Sequence, residues 1–390
     1  MNSRQKFLNA INFKIDKQIP EWEFAYWYDA IQRWYKEGLL KKNQPDKLKY
    51  QQWVSGEACP GPDIFFDKLF YDSDVHDYFC FDERVHAAAV INSPLPVFKK
   101  EIFNEDSQNI TFRGEDGKIV KTRKDGSSMP QFIDYPVKDK KDFEKIKERF
   151  NPDSKDRIPD QWDELIKVYK SRTYPLQLGG GNFCGFFSIL REMMGVEKAL
   201  YSFYDDPSLV FEILEFFTDY YIKLYTKVVL SIEVDYILIW EDMAFKNGPM
   251  ISPDVFKKFI LPYYKKFASE MRKFGIKHFF VDTDGNFEAL IPLFIECGVT
   301  GFYPFEVQSG MDSERVRKEY PNLIIMGGID KKALAKDKGA ISEELKKVER
   351  MVRKGGYVPY TDHMVPPDVS FSNYKFFRLE LKKILKMLKS

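Results

Sequence analysis

Seven short runs in this chain, 19–24, 174–181, 235–242, 278–285, 301–306, 323–330 and 356–363, have the apolar, β-branched and aromatic content of strands. Most of them end in Gly, Asp, Glu or His where an amphipathic helical stretch begins. Repeated strand-then-helix units require crossover connections, so their strands are parallel and lie in an α/β sheet or barrel. These units are expected to form a (β/α)8 TIM barrel, one domain over residues 1–390. In such a barrel the reactive side chains gather at the carboxyl ends of the strands. There this chain places Glu241-Asp242, Asp282-x-Asp284, Glu306, Asp330 and Asp362-His363. So many acids at strand ends predict a polar site suited to a metal or to acid–base chemistry.

The strand–helix rhythm lapses between about residues 59 and 160. Turn signals cluster there (Cys59-Pro60-Gly61-Pro62 and Ser93-Pro94-Leu95-Pro96), followed by β-like runs at 109–113, 117–123 and 130–135. Gly-Glu-Asp-Gly and Lys-Asp-Gly turns separate these runs, the pattern of an antiparallel meander. No Gly, Ser or Pro linker isolates the region, so it is expected as a β-rich insertion over 90–137 near the barrel mouth. Asp206-Pro207 opens a helix to about Ser231 with apolar residues at 209, 210, 213, 214, 217, 221, 224 and 228, one buried stripe. Ser252-Pro253 supplies an N-cap and a first-turn proline for a helix to about Phe274. Asn286 and Asp312 are caps for the next two helices, and a final helix over 370–388 closes the barrel.

The net charge of +1, with 31% charged residues, leaves opposite charges nearly cancelled, which argues against a nucleic-acid surface. The four cysteines form no C-x-x-C pair, so neither a disulfide framework nor a zinc knuckle is expected. The amino terminus lacks the apolar run of a signal peptide, and no segment approaches the ~20 apolar residues that span a bilayer. A cytoplasmic, soluble monomer or homodimer acting on a small molecule is expected. The 35 Phe and 22 Tyr are read chiefly as core, with a pocket for a flat organic ligand as the sharper alternative.

Residues two apart on a strand face the same side, so Val281-Asp282-Thr283-Asp284-Gly285 aims two carboxylates one way. Ionised carboxylates that close repel, so either a cation lies between them or one of them holds its proton. Asp284 also has a local reading, bonding the backbone of its own Gly285-Asn286 turn. His363 ends the last strand, where an imidazole can bind metal or shuttle protons near neutrality. His278 opens its strand at the opposite end and reads as structural. Glu241 and Asp242 are adjacent, so only one faces the axis, and parity leaves open which. Asp330 precedes Lys331-Lys332-Ala333-Leu334 and reads more readily as a helix N-cap than as a site residue. Gly179-Gly180-Gly181 and Gly327-Gly328 permit close backbone approach to a ligand but match no phosphate-loop fingerprint. Arg191 either clamps a carboxylate or pairs with Glu192 or a neighbour.

With Arg4-Gln5-Lys6-Phe7-Leu8-Asn9-Ala10, Ile19-Pro20, Gly181-Asn182-Phe183-Cys184-Gly185, Asp282-Thr283-Asp284-Gly285-Asn286, Gly327-Gly328-Ile329-Asp330-Lys331 and His363-Met364-Val365-Pro366-Pro367-Asp368 with Asn373, nearly the whole chain resembles the uroporphyrinogen decarboxylase superfamily. The match is to its decarboxylase-like branch, often proposed to be corrinoid-linked methyltransferases. The resemblance implies a TIM barrel with Asp282, His363, Glu241 and Arg191 as catalytic residues. It also implies Gly181, Phe183, Glu306, Asp330 and Trp22 around the substrate. Decarboxylases of the family use an Arg-Gln-Ala-Gly-Arg segment where this chain has Glu21-Trp22-Glu23-Phe24-Ala25-Tyr26-Trp27-Tyr28, with no arginine. Glu21 and Glu23 are therefore expected to face the barrel interior and repel a polyanionic tetrapyrrole. The coenzyme M branch holds zinc through His-x-Cys and a late Cys, positions taken here by Asp282, Asp284 and His363. Those ligand types favour a harder or borderline divalent ion. The implied function is metal-assisted transfer of a methyl group from a small methoxylated or methylamine-type donor to a corrinoid protein, which brings the corrinoid. Decarboxylation of uroporphyrinogen or a smaller acid, and non-catalytic tetrapyrrole binding, are the alternatives.

Overall fold

The computed structural model describes residues 1–15, 17–42, 73–124 and 130–387. The Cys59–Pro62 turn signal, most of the Lys-Asp-Gly turn after Arg123 and the expected helix end at Leu388 lie outside them. In chain order the strands are β1 (His86–Ala87), β2 (Glu101–Glu105), β3 (Asn109–Arg113), β4 (Ile119–Arg123), β5 (Gln131–Asp134), β6 (Leu176–Gly179), β7 (Tyr236–Trp240), β8 (Ala244–Phe245), β9 (Gly248–Pro249), β10 (Phe279–Asp282), β11 (Gly301–Tyr303), β12 (Ile324–Met326) and β13 (Tyr357–Val358). Seven of them make one parallel sheet in the order β1-β6-β7-β10-β11-β12-β13, and β2 to β5 make a separate antiparallel sheet.

Alternation along the central strands assigns their faces. Tyr236, Leu238 and Trp240 of β7 share one side, as do Phe280 and Asp282 of β10. Phe280 packs on Tyr236 with ring centroids 4.7 Å apart. Phe7, from the helix Ser3–Ile11, reaches both rings and plugs the amino-terminal end of the enclosed space. The opposite faces, with Ile237, Ile239, Phe279 and Val281, are buried under helices. The largest of these, Pro207–Val229, buries every residue of the expected apolar stripe, and Asp206 caps it by accepting from the Leu209 amide at 3.2 Å. Ser252 and Asp312 cap their helices as expected.

Closure departs from the eight-stranded ladder that the sequence predicts. Run 19–24 forms no regular strand; the other six runs, with β1 at His86–Ala87, which lies in none of the expected runs, make a curled seven-stranded sheet. Backbone contact with the far edge is confined to the Tyr26–Val365 bridge and its flanking bonds, Val365 N–H to Ala25 O at 2.9 Å and Trp27 N–H to Val365 O at 3.1 Å. Pro20 has no N–H to offer a ladder. Side chains also occupy the positions a partner strand would fill. Glu23 Oε1 accepts from the Phe24 and Thr361 amides, Arg84 donates to Phe24 O, and Asp82 accepts from the Glu21 amide.

Glu23 therefore does not face the interior. Its other oxygen accepts from Tyr374 at 3.0 Å and lies 3.7 Å from Arg378, both on the helix Phe371–Met387, with the acid and the arginine almost fully buried. Glu21 lies 3.7 Å from Lys382 of the same helix. Both acids tie the amino-terminal segment to the last helix, contrary to the expectation that they charge the pocket. Removing one partner of a buried ion pair leaves the other charge uncompensated, at about 3–5 kcal/mol. Glu23→Ala should lower the unfolding free energy by about that much in urea denaturation. A loss below about 1 kcal/mol would contradict this role.

Candidate active site

Parallel register carries Trp240, Asp282 and Tyr303 to the same level, since Asp282 pairs with Trp240 on one side and Tyr303 on the other. All three stand at carboxyl ends of strands. Just beyond them Asp242, Asp284 and His363 complete the rim of a cleft. Asp282 is set deep, partly reached by solvent, and is hydrogen-bonded to Tyr303. Its carboxyl is pushed well above the usual range, first by desolvation and then by the charges of Asp242 and Asp284. It therefore persists as a neutral acid beyond the range where an exposed aspartate ionises.

The adjacent acids Glu241 and Asp242 part company. Glu241 is fully buried beneath the first turn of the helix Phe187–Met194. Its carboxylate accepts from the amides of Phe186, Phe187 and Ser188 at 2.9, 2.8 and 2.9 Å and from the Tyr264 hydroxyl at 2.5 Å. A carboxylate suits the positive end of a helix, and this one has no accessible lone pair left for a substrate. Glu241 is a helix anchor, which corrects its expected catalytic role. Asp242 takes the left-handed conformation, φ +43°, and turns into the cleft. One oxygen accepts from the Asp284 amide at 3.3 Å and the other lies 3.9 Å from Arg191, which also donates to the Asp242 carbonyl at 2.8 Å. Arg191 lies flat over Trp240, 4.5 Å from the ring centroid. Burial first, and then Asp284, raise the Asp242 carboxyl to about 6, while Arg191, the Asp284 amide and His363 pull it down.

His363 Nε2 stands 3.5 Å from Asp284 Oδ2. Burial opposes the imidazolium, but the bond to Asp284 and its charge outweigh that, and the net shift is upward. Phe24 lines the same side of the cleft, its ring 5.3 Å from the His363 ring, 6.1 Å from Tyr360 and 6.5 Å from Tyr303. These aromatics were not singled out in the sequence, although counting alternate residues from Phe280 across paired strands reaches Tyr303.

The remaining expected site residues divide. Glu306 borders the cleft, accepting from the Gly285 amide at 3.2 Å and Ser309 at 2.8 Å, with Lys331 3.8 Å away. Gly181, at φ +80°, has open space where a side chain would sit. Three expectations are corrected. Asp330 caps the helix Lys331–Lys336 through the Lys332 amide and accepts from Gln308, the N-cap reading. Phe183 packs in the core against Phe150. Trp22 stacks on Phe7 at the closed end and donates to Glu83 O, away from the cleft.

The expected metal ligands do not make a metal-holding set. Asp284 is paired with His363, and Asp282 is turned to Tyr303 below them. Among the described residues no three His, Cys, Asp or Glu side chains gather as such a group. What stands there is a histidine–carboxylate pair beside two acids of raised affinity for protons.

A curled parallel sheet with this cleft at its carboxyl edge defines an α/β protein of the barrel-like kind. The family model for uroporphyrinogen decarboxylase (URO-D) matches residues 120–384, and the chain belongs to that family. No protein of curated function matches the sequence significantly. Among solved structures, a putative vitamin-B12 independent methionine synthase from Listeria monocytogenes aligns at 13% identity and TM-score 0.31, over 58% of this chain and 67% of that one. The 3-keto-D-glucoside 4-epimerase YcjR from E. coli aligns at 11% identity and TM-score 0.31, over 58% of this chain and 85% of its own. These overlaps are too partial to carry fold or chemistry across. No described helix is long and apolar enough to cross a membrane.

The raised Asp242 carboxyl has a thermodynamic consequence. Moving from about 3.8 unfolded to about 6 folded corresponds to about 3 kcal/mol at ~1.4 kcal/mol per unit, cut to about 1–2 by partial solvent access. The native state holds that proton more tightly, so wild-type stability falls as pH rises from about 4 through about 6. Asp242→Asn, a neutral isostere, should leave stability unchanged near pH 3.5 and raise it by about 1–2 kcal/mol at pH 8, read by thermal unfolding. Equal or lower stability of the variant at pH 8 would contradict the assignment.

Proposed function

We propose that this protein is an enzyme that moves a methyl group from a small neutral or cationic donor, a methoxylated or methylamine-type compound, to a corrinoid protein. The observation that carries the reading is the His363–Asp284 pair set beside an aromatic wall at the carboxyl ends of the strands. As the bond from methyl carbon to heteroatom breaks, its electron pair stays on the heteroatom, which needs a proton when the donor is neutral. His363, held as imidazolium by Asp284 at Nε2, delivers it from the other ring nitrogen, Nδ1, and Asp284 fixes the ring orientation. Asp242 keeps a proton of its own up to about pH 6, with Arg191 limiting its affinity for it. The corrinoid, carried by the partner, would supply the nucleophile that accepts the methyl group. No step is assigned to a metal.

The same donors would serve decarboxylation, the reaction in the family's name. A porphyrinogen with many carboxylates would meet Asp242, Asp284 and Glu306 along the rim, and like charges in a partly desolvated cleft repel strongly. The acids at the strand ends, not Glu21 and Glu23, support the preference for a neutral or cationic substrate.

Anaerobic assay with reduced cobalamin and a panel of methoxylated and methylamine donors tests the proposal. Loss of a general acid costs about 10²–10⁴-fold in rate, so His363→Ala should lower kcat/KM by that factor. Activity should fall as pH rises through the raised His363 pKa. Asp284→Asn leaves burial and Lys331 opposed by Glu306 alone and should move that falling limb to lower pH. Chelators should change neither rate nor profile. Carbon dioxide release from uroporphyrinogen that is lost in His363→Ala, with no methyl transfer, would replace this reading with the decarboxylase. Tight porphyrin binding without turnover would favour a non-catalytic binder.

A further inference from the structure

The turn between β3 and β4 drives a lysine into the helix that carries Arg191. Lys118 is almost completely buried, its ammonium 2.6 Å from Glu192 and 3.0 Å from Asp116. The turn is closed on itself, with Gly114 N–H donating to Lys118 O at 2.8 Å and Lys118 N–H to Asp116 Oδ1 at 3.0 Å. The far end of the same antiparallel sheet meets the same carboxyl end of the helix. Tyr135 lies where a side chain at Gly195 would stand, and Val137 N–H donates to Met193 O at 2.9 Å. Lys118 also sits 5.0 Å from the Phe132 ring.

We infer that Lys118 is a positioning residue which, through Glu192, sets where Arg191 lies against Trp240 and Asp242. The inference rests on the reading of this cleft as the active site. The helix Phe187–Met194 is short, and Glu241 fixes only its amino-terminal amides. With the Val137–Met193 backbone bond at the carboxyl end, these anchors hold the helix axis and leave rotation about it. Glu192 lies about 7 Å beyond the Glu241 anchor, at ~1.5 Å per residue, so a side-chain tie there fixes the rotation. Arg191 is the next residue, on the side of the helix that faces the cleft. Stability alone gives little reason for such a pair, because burying two charges costs about what their attraction returns, and apolar replacements are often neutral or better. Fixing a unique helix placement is a service that an apolar contact performs less well. The antiparallel sheet is thereby linked mechanically to the rim of the cleft, with Lys118 and Tyr135 as its two points of purchase on one helix.

The test uses the full chain labelled with 5-fluorotryptophan and read by fluorine NMR, with no turnover required. The chain has six tryptophans, and Trp240→Phe assigns the resonance of the one beneath Arg191. Arg191→Gln defines the shift of an uncovered Trp240 ring. Lys118→Met should move the Trp240 signal toward that position while the other assigned signals stay, and Lys118→Arg should leave it in place. Since Lys118→Met strands the Glu192 charge, Lys118→Met/Glu192→Gln serves as the variant with no uncompensated ion and should move the signal likewise. A folded double variant with Trp240 unmoved would overturn the inference. So would loss of the folded state in the double variant, which would make Lys118 structural only. A moved Trp240 signal in a protein that transfers no methyl group would leave the inference standing and remove the proposed function.

Discussion

The carboxylate of Glu241, sealed against the amino-terminal amides of the helix Phe187–Met194, holds the cleft in its shape. It joins the end of β7 to the helix packed outside it, and its hydrogen bonds exhaust what a carboxylate can accept. With that side chain committed outward, the next residue must leave the strand. Asp242 does so at φ +43°, a conformation that Asp tolerates better than most residues. The kink sends its carboxylate inward beside Asp284. Arg191 follows from the same anchor, because the helix that Glu241 holds also brings the guanidinium over Trp240.

Around that anchor the electrostatics arrange themselves as a graded set of proton affinities. Asp282, deepest and surrounded by Asp242, Asp284 and tyrosines, keeps its proton most strongly. Asp242 comes next, moderated by Arg191. Asp284, the most exposed of the three, is the partner of His363 and sustains the imidazolium against burial. Lys331 stands between Asp362 and Glu306, 3.3 and 3.8 Å away, and balances the acids on the far rim. Groups whose environments separate their pKa values in this way can divide the acid and base roles of a reaction.

Much of this was legible in the sequence, because strand-end acids at parallel crossovers have few other places to go. The caps at Asp206, Ser252, Asp312 and Asp330 follow from local chemistry and could be read locally. What escaped was set at long range. Glu21 and Glu23 were expected inside by strand alternation, yet Arg378, Tyr374 and Lys382 draw them to the last helix, and nothing near residue 23 announces that helix. The ladder at 19–24 failed because side chains took over the backbone bonds, which apolar content does not reveal. The choice between Glu241 and Asp242 depended on a left-handed residue, and parity counting presumes a regular strand. Trp22 and Phe183 sit in motifs of family character but serve packing, since motif membership carries no information about which way a side chain faces.

The central claim is that Asp284 holds His363 as a protonated group within a largely buried cleft. Imidazole titration by ¹H–¹⁵N NMR measures this directly, because the chain has only four histidines and His363→Ala assigns the signal. The account predicts a His363 pKa above the usual 6.5 in the wild-type protein and below it in Asp284→Asn, where burial and Lys331 outweigh the remaining pull of Glu306. A wild-type value at or below 6.5 that Asp284→Asn leaves unchanged would contradict it.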